Sequence, residues 1–344
     1  MIGLWGGSRN NAPMARILLS LALAALLAGC ATPFDLQGHR GTRGLAPENT
    51  LPAFSKALEI GVDTLELDTN VTSDGVVVIS HNSSLNPDIT RGPDGRWIAK
   101  AGPPIHALTF EELSRYDVGR IDPASKYAKQ FPDQVAVDGT HMPRLADLFA
   151  MVRRAGDRRV RFNIETKISP LAPAETPGPE EFTRRVIDEI RAGGMAKRST
   201  LESFDWRTLA IAQGMAPEIP TVYLTSQQKW GDNICTGPAA GSPTMDPAQC
   251  EDSPWTAGIQ LRAIGSVPRM VKAAGGAIWS PFYLDVDEAK VKEAHALGIA
   301  VVVWTVNDPK EMKRMVELGV DGLITDRPDI FKLNVTPANA GAQP

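Results

Sequence analysis

The sequence has few cysteines, no long hydrophobic run and no excess of positive charge. Only 3 of its 344 residues are cysteine, and an odd number leaves at least one of them without a partner in the chain. The 36 basic residues are outnumbered by 40 acidic ones, for a net charge of -4, so the electrostatic footprint of a nucleic-acid-binding protein is missing. The GxGxxG and P-loop patterns are also absent, which removes support for a nucleotide-binding sheet.

The remaining composition is that of an ordinary globular protein. Hydrophobic residues make up 43% of the chain and charged residues 22%, with 30 Gly and 27 Pro. These fractions exclude wholesale disorder, a collagen-like chain and a coiled coil. The length alone suggests two or three domains, although an α/β barrel uses about 250 residues or more as one domain.

The N-terminal part of the sequence has the pattern of an export signal. The apolar run Ile17–Ala28 follows Arg16 and is shorter than the about 20 residues that a membrane span needs. A basic residue, a short apolar run and small residues at its end are typical of a secretory signal peptide. The string LAGC, which ends at Cys30, resembles the bacterial lipobox, in which the cysteine is lipidated and becomes the mature N-terminus. The alternative is a buried helix of the folded domain.

We therefore expect residues 1–29 to be a lipoprotein signal peptide and residues 30–35 a short tether behind the lipidated Cys30. The protein is then an exported, periplasmic lipoprotein of a bacterial membrane, with the outer membrane favoured. The lipid is its only expected contact with the membrane, because acylation by several chains gives a stable anchor.

The other two cysteines, Cys235 and Cys250, lie in an exported chain and therefore in an oxidising compartment. They bracket a segment rich in Gly, Pro, Ala and Thr. A disulfide that closes a loop of roughly 15 residues contributes up to about 3 kcal/mol. We expect the two cysteines to be bridged; the alternative is a pair of free thiols.

Short strand patterns alternate with helical patterns along the rest of the chain, which predicts a parallel sheet. Strands are predicted at Asp35–His39, Thr64–Val71, Val76–His81, Val160–Thr166, Thr200–Phe204, Thr221–Thr225, Ala277–Ser280, Ala300–Val306 and Gly322–Thr325. Helices are predicted at Thr50–Ile60, Phe110–Tyr116, Leu145–Arg154, Pro179–Ala192, Trp206–Met215, Ser266–Ala274, Asp287–Leu297 and Pro309–Leu318, the last with Asp308 as its N-cap.

This number of units fits an α/β protein with a single-domain (β/α)8 TIM barrel over residues 36–331. Two stretches, about 82–143 and 227–255, are too long for simple connections and are predicted to be inserted loops. Residues 332–344 form a C-terminal tail.

One connection departs from the barrel pattern. Only Thr72–Gly75 separates the second and third predicted strands, and a parallel crossover needs a dozen residues or more. The pattern predicts an antiparallel hairpin that turns at Asp74-Gly75. Its register would place Asp68 or Glu66 opposite His81, with all three side chains on one face.

Acidic side chains occur on two of the predicted strands. Glu66 and Asp68 are two residues apart and point the same way. Inside a barrel, two carboxylates need a compensating cation, and oxygen ligands favour Ca²⁺ or Mg²⁺; the alternative is a solvated strand face. Glu165 and Lys167 lie at the C-terminal end of another strand, where barrel active sites lie. They could supply a third carboxylate ligand and a phosphate donor, or form a simple surface ion pair.

His39 and Arg40 end the first predicted strand. A histidine transfers protons near neutral pH, and an arginine can hold a phosphate through two hydrogen bonds. A lone histidine at a strand end is more often structural. Here, however, two histidines, three carboxylates, an arginine and a lysine all fall at the ends of early strands, which favours an active site.

These residues belong to a longer series of motifs. In order and spacing, the series closely resembles the glycerophosphodiester phosphodiesterase family over roughly residues 36–331. The matching segments are Gly38–Gly41, Ala46–Thr50, Glu66–Asp68, Asp74–Gly75, Ile79–His81, Asn163–Lys167, Glu202–Phe204, Trp304–Asn307 and Gly322–Pro328.

The resemblance implies a distorted (β/α)8 barrel of the PI-PLC-like phosphodiesterase type. It also implies hydrolysis of a small glycerophosphodiester to sn-glycerol 3-phosphate and an alcohol, in which the glycerol 2-hydroxyl attacks phosphorus and water opens the cyclic phosphate. The roles that it carries over are an acid–base pair of His39 and His81, a divalent metal held by Glu66, Asp68 and Glu165, and phosphate binding by Arg40 and Lys167.

Three further positions match the family pattern. Trp304 matches an aromatic position that lines the substrate cavity, although an ordinary core aromatic is the alternative. Glu48 and Asn49 match a PENT element and are expected to line the site or to support it. One position departs from the pattern, because Asn82 follows His81 where many members have Asp, and this leaves the orientation of His81 open.

Two other functions stay open at this point. One is a lysophospholipase D-type reaction on membrane lipids, and the other is a surface lipoprotein that binds a ligand without catalysis. The sequence does not indicate which histidine is the acid and which the base, or whether the metal is Ca²⁺ or Mg²⁺. It also does not indicate the preferred alcohol or the oligomeric state.

Overall fold

A computed structural model describes residues 34–335 together with Gly3. The expected lipid anchor Cys30, nearly all of the predicted signal peptide and tether, and residues 336–344 of the predicted tail lie outside the described residues. Within residues 34–335, no helix is both long and apolar enough to cross a membrane.

The described chain forms thirteen strands in three sheets. They are β1 (Asp35–Gly38), β2 (Thr64–Val71), β3 (Val77–Ile79), β4 (Arg161–Thr166), β5 (Ser199–Ser203), β6 (Thr221–Thr225), β7 (Gln227–Gln228), β8 (Gly231–Asp232), β9 (Cys235–Thr236), β10 (Glu251–Asp252), β11 (Ile278–Pro281), β12 (Ala300–Val303) and β13 (Gly322–Thr325). Eight of them, β1, β2, β4, β5, β6, β11, β12 and β13, run parallel, and pairing of β1 with β2 closes the sheet. The predicted TIM barrel is confirmed.

Ten α-helices lie among these strands in the described chain. They are α1 (Leu51–Ile60), α2 (Phe110–Leu113), α3 (Leu145–Arg154), α4 (Pro179–Ala192), α5 (Trp206–Met215), α6 (Leu261–Ile264), α7 (Val267–Ala273), α8 (Glu288–Ala296), α9 (Pro309–Glu317) and α10 (Pro328–Asn334). All nine predicted strands and all eight predicted helices are present, with ends that differ by at most three residues. As predicted, Asp308 caps α9, and its side chain accepts hydrogen bonds from the backbone N–H groups of Lys310 and Glu311.

The predicted hairpin is present, but its predicted register is wrong. β2 pairs antiparallel with β3, and Thr69 lies opposite Ile79. This register would place Leu67, not Asp68 or Glu66, opposite His81. The turn is longer than predicted because the N–H of Thr72 bonds to the carbonyl of Val76 and leaves three residues in the loop, with Gly75 at φ 82°. β3 ends before His81, so strand alternation does not decide where the His81 side chain points.

The two long connections pack in different ways. Residues 82–143 carry little regular structure around the short helix α2, and they bury a small separate apolar cluster of Val78, Leu85, Ile105, Leu113, Val118 and Met142. Residues 227–255 contain the small ladders β7–β8 and β9–β10, and their apolar side chains join the main core. Both connections therefore pack on the barrel as parts of one body.

The predicted disulfide is not formed in the structure. Cys235 and Cys250 are buried free thiols. Cys235 lies in β9, opposite Asp252 in β10. Cys250 directly precedes β10, and its Sγ lies 3.3 Å from the carbonyl of Glu251. Burial and the neighbouring Cys235 raise the pKa of the Cys250 thiol to about 12. The two thiols are neighbours, and the bridge expected between them stays a prediction.

Candidate active site

Buried carboxylates meet at the C-terminal ends of three adjacent strands. Asp68 on β2 lies opposite Glu165 on β4, and Glu165 lies opposite Glu202 on β5. Glu66 precedes Asp68 by two residues and therefore shares its face. One carboxylate oxygen from each of Glu66, Asp68 and Glu165 lies within 4.8 Å of the other two. The strand register thus brings together the three predicted metal ligands.

The charges of this cluster are not balanced by the protein. Burial, together with the charges of Asp68 and Glu202, raises the pKa of Glu66 well above its usual range. Burial also raises the pKa of Glu165 to about 7. Burial alone would raise the pKa of Asp68 too, but His81, Arg40 and Lys167 outweigh it and hold that pKa below its usual range.

The fourth carboxylate, Glu202, has a raised pKa because of burial and the nearby charge of Glu165. Its side chain accepts a 2.7 Å hydrogen bond from Asn163. Two cations, Arg40 and Lys167, face four carboxylates. An all-oxygen donor set with excess negative charge fits a hard divalent cation.

The two cations contact the carboxylates directly. Lys167 Nζ lies 2.9 Å from Glu165 Oε1 and 3.7 Å from Asp68 Oδ1. Arg40 Nε lies 3.3 Å from Asp68 Oδ2, without the alignment of a hydrogen bond. The backbone N–H of Arg40 donates a 2.7 Å hydrogen bond to Glu66 Oε2. Both groups thus lie beside the carboxylate cluster with donors still available.

The loop after β1 holds Arg40 in an unusual backbone conformation. Arg40 and Asn49 both have positive φ, at 50° and 57°, which non-glycine residues adopt rarely and at a cost. Gly41, at φ 83°, approaches α1 so closely that a Cβ atom there would lie 2.7 Å from the Ala53 carbonyl carbon. The string His-Arg-Gly therefore combines two functional side chains with the residue that their loop requires.

Glu48 and Asn49 support this loop through hydrogen bonds, which is the supporting role that the family pattern implies. Glu48 Oε1 accepts a 2.7 Å hydrogen bond from Arg40 Nη1, and Glu48 also accepts one from the hydroxyl of Tyr127. Asn49 Nδ2 donates a 2.8 Å hydrogen bond to Asp68 Oδ2. These contacts fix the guanidinium of Arg40 and the carboxylate of Asp68.

A buried carboxylate outside the predicted set of site residues holds His39. Asp326 Oδ1 lies 2.7 Å from His39 Nδ1. The same carboxylate accepts two hydrogen bonds from Arg43, of 2.8 and 3.0 Å, and one of 2.7 Å from Asn307. Burial alone would raise the pKa of Asp326, but the charge of Arg43 and the hydrogen bond from His39 keep it below its usual range. Burial lowers the pKa of His39 to about 4, so its ring is neutral at pH 7.

The surroundings of the His81 ring differ from those of the His39 ring. Hydrogen bonds hold the rings of His39, His106, His141 and His295, whereas the ring of His81 has none among the described residues. Burial, together with the charges of Arg40 and Lys167, lowers the pKa of His81 well below its usual value. Both candidate acid–base groups are therefore neutral at pH 7, and only one has a fixed ring orientation.

The predicted site residues line a common cleft. One cavity, of about 170 Å³, is lined by eight of them: His39, Arg40, Glu66, Asp68, His81, Glu165, Lys167 and Trp304. Trp304 packs edge-to-face on Phe204, with ring centroids 5.3 Å apart, and its Nε1 donates to the Ser280 carbonyl at 2.9 Å. Cys235 and Cys250 do not line this cavity.

Four residues of the site escaped prediction: Arg43, Tyr127, Glu202 and Asp326. Glu202 and Asp326 follow the same rule as the predicted carboxylates, because each lies at the C-terminal end of a barrel strand inside a family motif. Tyr127 comes from the 82–143 insertion, and no sequence pattern ties it to Glu48. Arg43 lies three residues beyond Arg40, and likewise no clear sequence pattern marks it as a residue of the site.

Comparison with known proteins agrees with this geometry. Residues 39–330 match the model of the glycerophosphoryl diester phosphodiesterase family. A glycerophosphodiester phosphodiesterase of Caldanaerobacter subterraneus is 27% identical over 85% of this chain and 93% of its own length. The human lysophospholipase D is 24% identical over 84% of this chain and 82% of its own length.

Solved structures show the same fold. A Silicibacter pomeroyi structure described as a glycerophosphoryl diester phosphodiesterase is 33% identical, with a TM-score of 0.76 over 90% of this chain and 96% of its own. An Oleispira antarctica phosphodiesterase in complex with the product sn-glycerol-3-phosphate is 20% identical, with a TM-score of 0.60 over 88% of this chain and 96% of its own. The chain therefore belongs to the glycerophosphoryl diester phosphodiesterase family and is an enzyme of that family.

Proposed function

We propose that this enzyme hydrolyses small, water-soluble glycerophosphodiesters to sn-glycerol 3-phosphate and an alcohol, with His39 and His81 as its acid–base pair and a divalent cation as cofactor. The observation that carries the proposal is the shared cavity, where two neutral histidines face three clustered carboxylates and two phosphate-binding cations. The Oleispira antarctica phosphodiesterase, which shares the fold, was solved with sn-glycerol-3-phosphate as product.

Glu66, Asp68 and Glu165 would hold the cation, either Ca²⁺ or Mg²⁺. Burial and the like charges of neighbouring carboxylates raise the pKa values of Glu66 and Glu165, and a divalent ion would neutralise those charges. When bound, the cation supplies positive charge against the phosphate oxygens as negative charge builds up in the transition state.

Arg40 and Lys167 position the phosphate. The buried Nε–H of Arg40 has no hydrogen-bond partner among the described residues, so it is free to donate to a phosphate oxygen. The contact from Glu48 fixes the plane of that guanidinium before the substrate arrives, and such preorganised donors are a large source of rate enhancement. Lys167 adds a second positive charge from the other side of the carboxylate cluster.

The histidines move the protons. One neutral imidazole takes the proton of the glycerol 2-hydroxyl as its oxygen attacks phosphorus, and the other, in its protonated form, gives a proton to the departing alkoxide. Water then opens the cyclic phosphate with the two roles reversed, which leaves glycerol 3-phosphate. Because burial lowers both pKa values, the negative charge of the bound diester would be what raises the pKa of the histidine that donates.

Product identification tests this function. Purified enzyme supplied with Ca²⁺ or Mg²⁺ is incubated with glycerophosphocholine, and ³¹P NMR together with a dehydrogenase-coupled assay follows glycerol 3-phosphate. We expect glycerol 3-phosphate and choline in equal amounts. Release of phosphocholine and glycerol instead, or no release with either metal, would contradict the proposal.

Lysophospholipase D activity is the second candidate, because a relative carries that name and the expected lipid anchor would hold the enzyme at a membrane. The 82–143 insertion speaks against it, since this stretch is rich in charge and proline rather than an apolar lid. In the same assay, lysophosphatidylcholine would then give lysophosphatidic acid faster than glycerophosphocholine gives glycerol 3-phosphate. If neither substrate is cleaved, a ligand-binding lipoprotein without catalysis becomes the better explanation.

We also propose that the enzyme works outside the cytoplasm as a lipoprotein anchored through Cys30. The support is the sequence pattern of residues 1–29 that ends in LAGC. Labelling of cells with a fatty-acid probe should mark the natural protein and should fail for the C30S variant. A chain that stays unlabelled, or that is recovered without cleavage in the cytoplasm, would overturn this placement.

A further inference from the structure

The active-site cleft has a second lobe. A cavity of about 170 Å³ adjoins the one described above and shares four of its walls, His81, Glu165, Lys167 and Phe204. The first lobe adds His39, Arg40 and the aromatic Trp304. The second lobe adds residues from the loops after β3, β4 and β10: Ser83, Ile168, Ser169, Ala172, Glu175, Thr176 and Trp255.

A phosphate bound against these shared walls would lie between the two lobes. Lys167 and His81 line both, and a phosphodiester has one organic group on each side of its phosphorus. The first lobe, with the carboxylate cluster and both His39 and Arg40, is the one equipped to act on the glycerol phosphate half. The second lobe therefore faces the alcohol that leaves.

Glu175 gives the second lobe its charge. Its Oε2 accepts a hydrogen bond from the hydroxyl of Ser83, and among the described residues no Lys, Arg or His lies within 4.0 Å of its carboxylate. The other acid in this lobe, Glu165, is paired with Lys167 at 2.9 Å. Glu175 is thus a half-buried carboxylate that no cationic side chain of the described chain contacts.

Aromatic surfaces complete the lobe. Trp255, in the 227–255 insertion, is half-buried in the cavity wall, and its carbonyl accepts a 2.8 Å hydrogen bond from the N–H of Trp206. Phe204 forms the wall shared with the first lobe, and Lys167 Nζ lies 5.8 Å from the centre of its ring. Thr176 Oγ1 is buried there and has no hydrogen-bond partner within the described part of the chain. Aromatic faces and an anion are the groups that bind ammonium ions.

We propose that the second lobe binds the departing alcohol and selects a positively charged amino alcohol, of the ethanolamine or choline type, through Glu175 and Trp255. This inference rests on the proposed function. The carboxylate would pair with the ammonium group, Trp255 would present its ring to the cation, and the hydroxyl of Thr176 would serve a polar atom of the alcohol. Because these residues come from loops rather than barrel strands, they are the part of the cleft free to set specificity.

The test compares two diesters that differ in the alcohol charge. Glycerophosphoethanolamine carries an ammonium group, and glycerophosphoglycerol carries none; kcat/KM is measured for both. We expect natural enzyme to favour the cationic diester, and Glu175→Gln to lower the cationic-to-neutral ratio about tenfold, mainly through KM. Glutamine keeps an acceptor for Ser83 and removes only the charge. Glu180→Gln, the same charge change on an exposed residue of α4 outside the cavity, should leave the ratio unchanged.

A second variant tests the aromatic wall. Trp255→Leu keeps an apolar side chain but loses the ring face, and we expect it to reduce kcat/KM for glycerophosphocholine more than for glycerophosphoglycerol. An unchanged ratio in Glu175→Gln, an equal loss on both diesters, or a natural enzyme that prefers the neutral diester would each overturn the inference. If no diester yields glycerol 3-phosphate, the proposed function itself has failed, which is a different result.

Discussion

The surroundings of His39 and His81 differ sharply although both side chains line one cleft. His39 is fixed by Asp326, and that carboxylate is held in turn by Arg43 and Asn307. His81 has no such partner in the described chain, and it lies just beyond the β2–β3 hairpin. The barrel therefore fixes the ring of one histidine through a carboxylate, while no hydrogen bond in the described chain fixes the ring of the other.

This difference suggests a division of labour. A fixed, neutral His39 with its Nδ1 on a carboxylate presents Nε2 to the site. His81 faces both lobes, which places it beside the lobe that we propose to bind the leaving alcohol. The following predictions test this contrast, beginning with the largest expected effect.

His39→Ala and His81→Ala should each lower kcat by about 10²–10⁴-fold, because each removes one proton-transfer group. Both variants should bind Ca²⁺ or Mg²⁺ with normal affinity, since neither histidine is a proposed ligand. Steady-state release of glycerol 3-phosphate and calorimetric metal titration measure the two properties. Near-normal turnover in either variant would remove that histidine from the acid–base pair.

Asp326→Asn should lower kcat by about 10²-fold, because the amide no longer fixes the His39 tautomer. It also leaves the buried Arg43 without its carboxylate. The matched change beside the other histidine is Asn82→Ala, which alters the neighbour of His81 without removing any contact to its ring. We expect this variant to lower kcat less than threefold. Equal losses in the two variants would contradict the difference between the histidines.

Glu48→Gln should lower kcat/KM by about tenfold, since a charge-assisted hydrogen bond contributes roughly 1.5–3 kcal/mol and the amide retains part of it. The loss should appear mainly in substrate binding, because Glu48 orients the phosphate donor Arg40. Initial-rate kinetics over a range of diester concentrations separate KM from kcat. A variant with unchanged KM would show that Arg40 is positioned without Glu48.

Tyr127→Phe should cause a loss of about threefold to tenfold in kcat/KM, which corresponds to one hydrogen bond of about 1 kcal/mol. The Tyr127 hydroxyl joins Arg43 to Glu48, so it links the His39 region with the phosphate donor. Phe131→Leu, on the ring that packs against Tyr127, serves as a packing control with no lost hydrogen bond. A larger loss in the control would assign the effect to packing.

Much of this fold follows from local sequence patterns. Helices α3, α4 and α5 have the predicted ends. Local signals mark some of these ends, since α4 begins with Pro179 and is followed by Gly193, and Asp205 caps α5. The hairpin register was wrong because a three-residue loop and a two-residue turn differ by one position, and one position reverses strand faces. No sequence pattern predicts the strands β7–β10, since the position of a two-residue strand is determined by tertiary packing.

The site was predictable to a similar extent. Carboxylates at the ends of strands could be found by periodicity, and the motif series placed Arg40 and Lys167 beside them. Tyr127 could not be found, because it reaches Glu48 from an irregular loop 79 residues away. The disulfide prediction rests on compartment and loop composition, and the structure adds only that both thiols are buried by apolar packing.

The central claim is that a carboxylate-held cation works with the histidine pair on glycerophosphodiesters. Its most direct test is glycerol 3-phosphate release from glycerophosphocholine by natural enzyme before EDTA treatment, after it, and after return of Ca²⁺ or Mg²⁺. We predict that EDTA abolishes release, that one of the two ions restores it, and that Glu165→Gln cannot be restored at the same ion concentration. Undiminished release by enzyme whose metal content has been shown to be negligible would contradict the account.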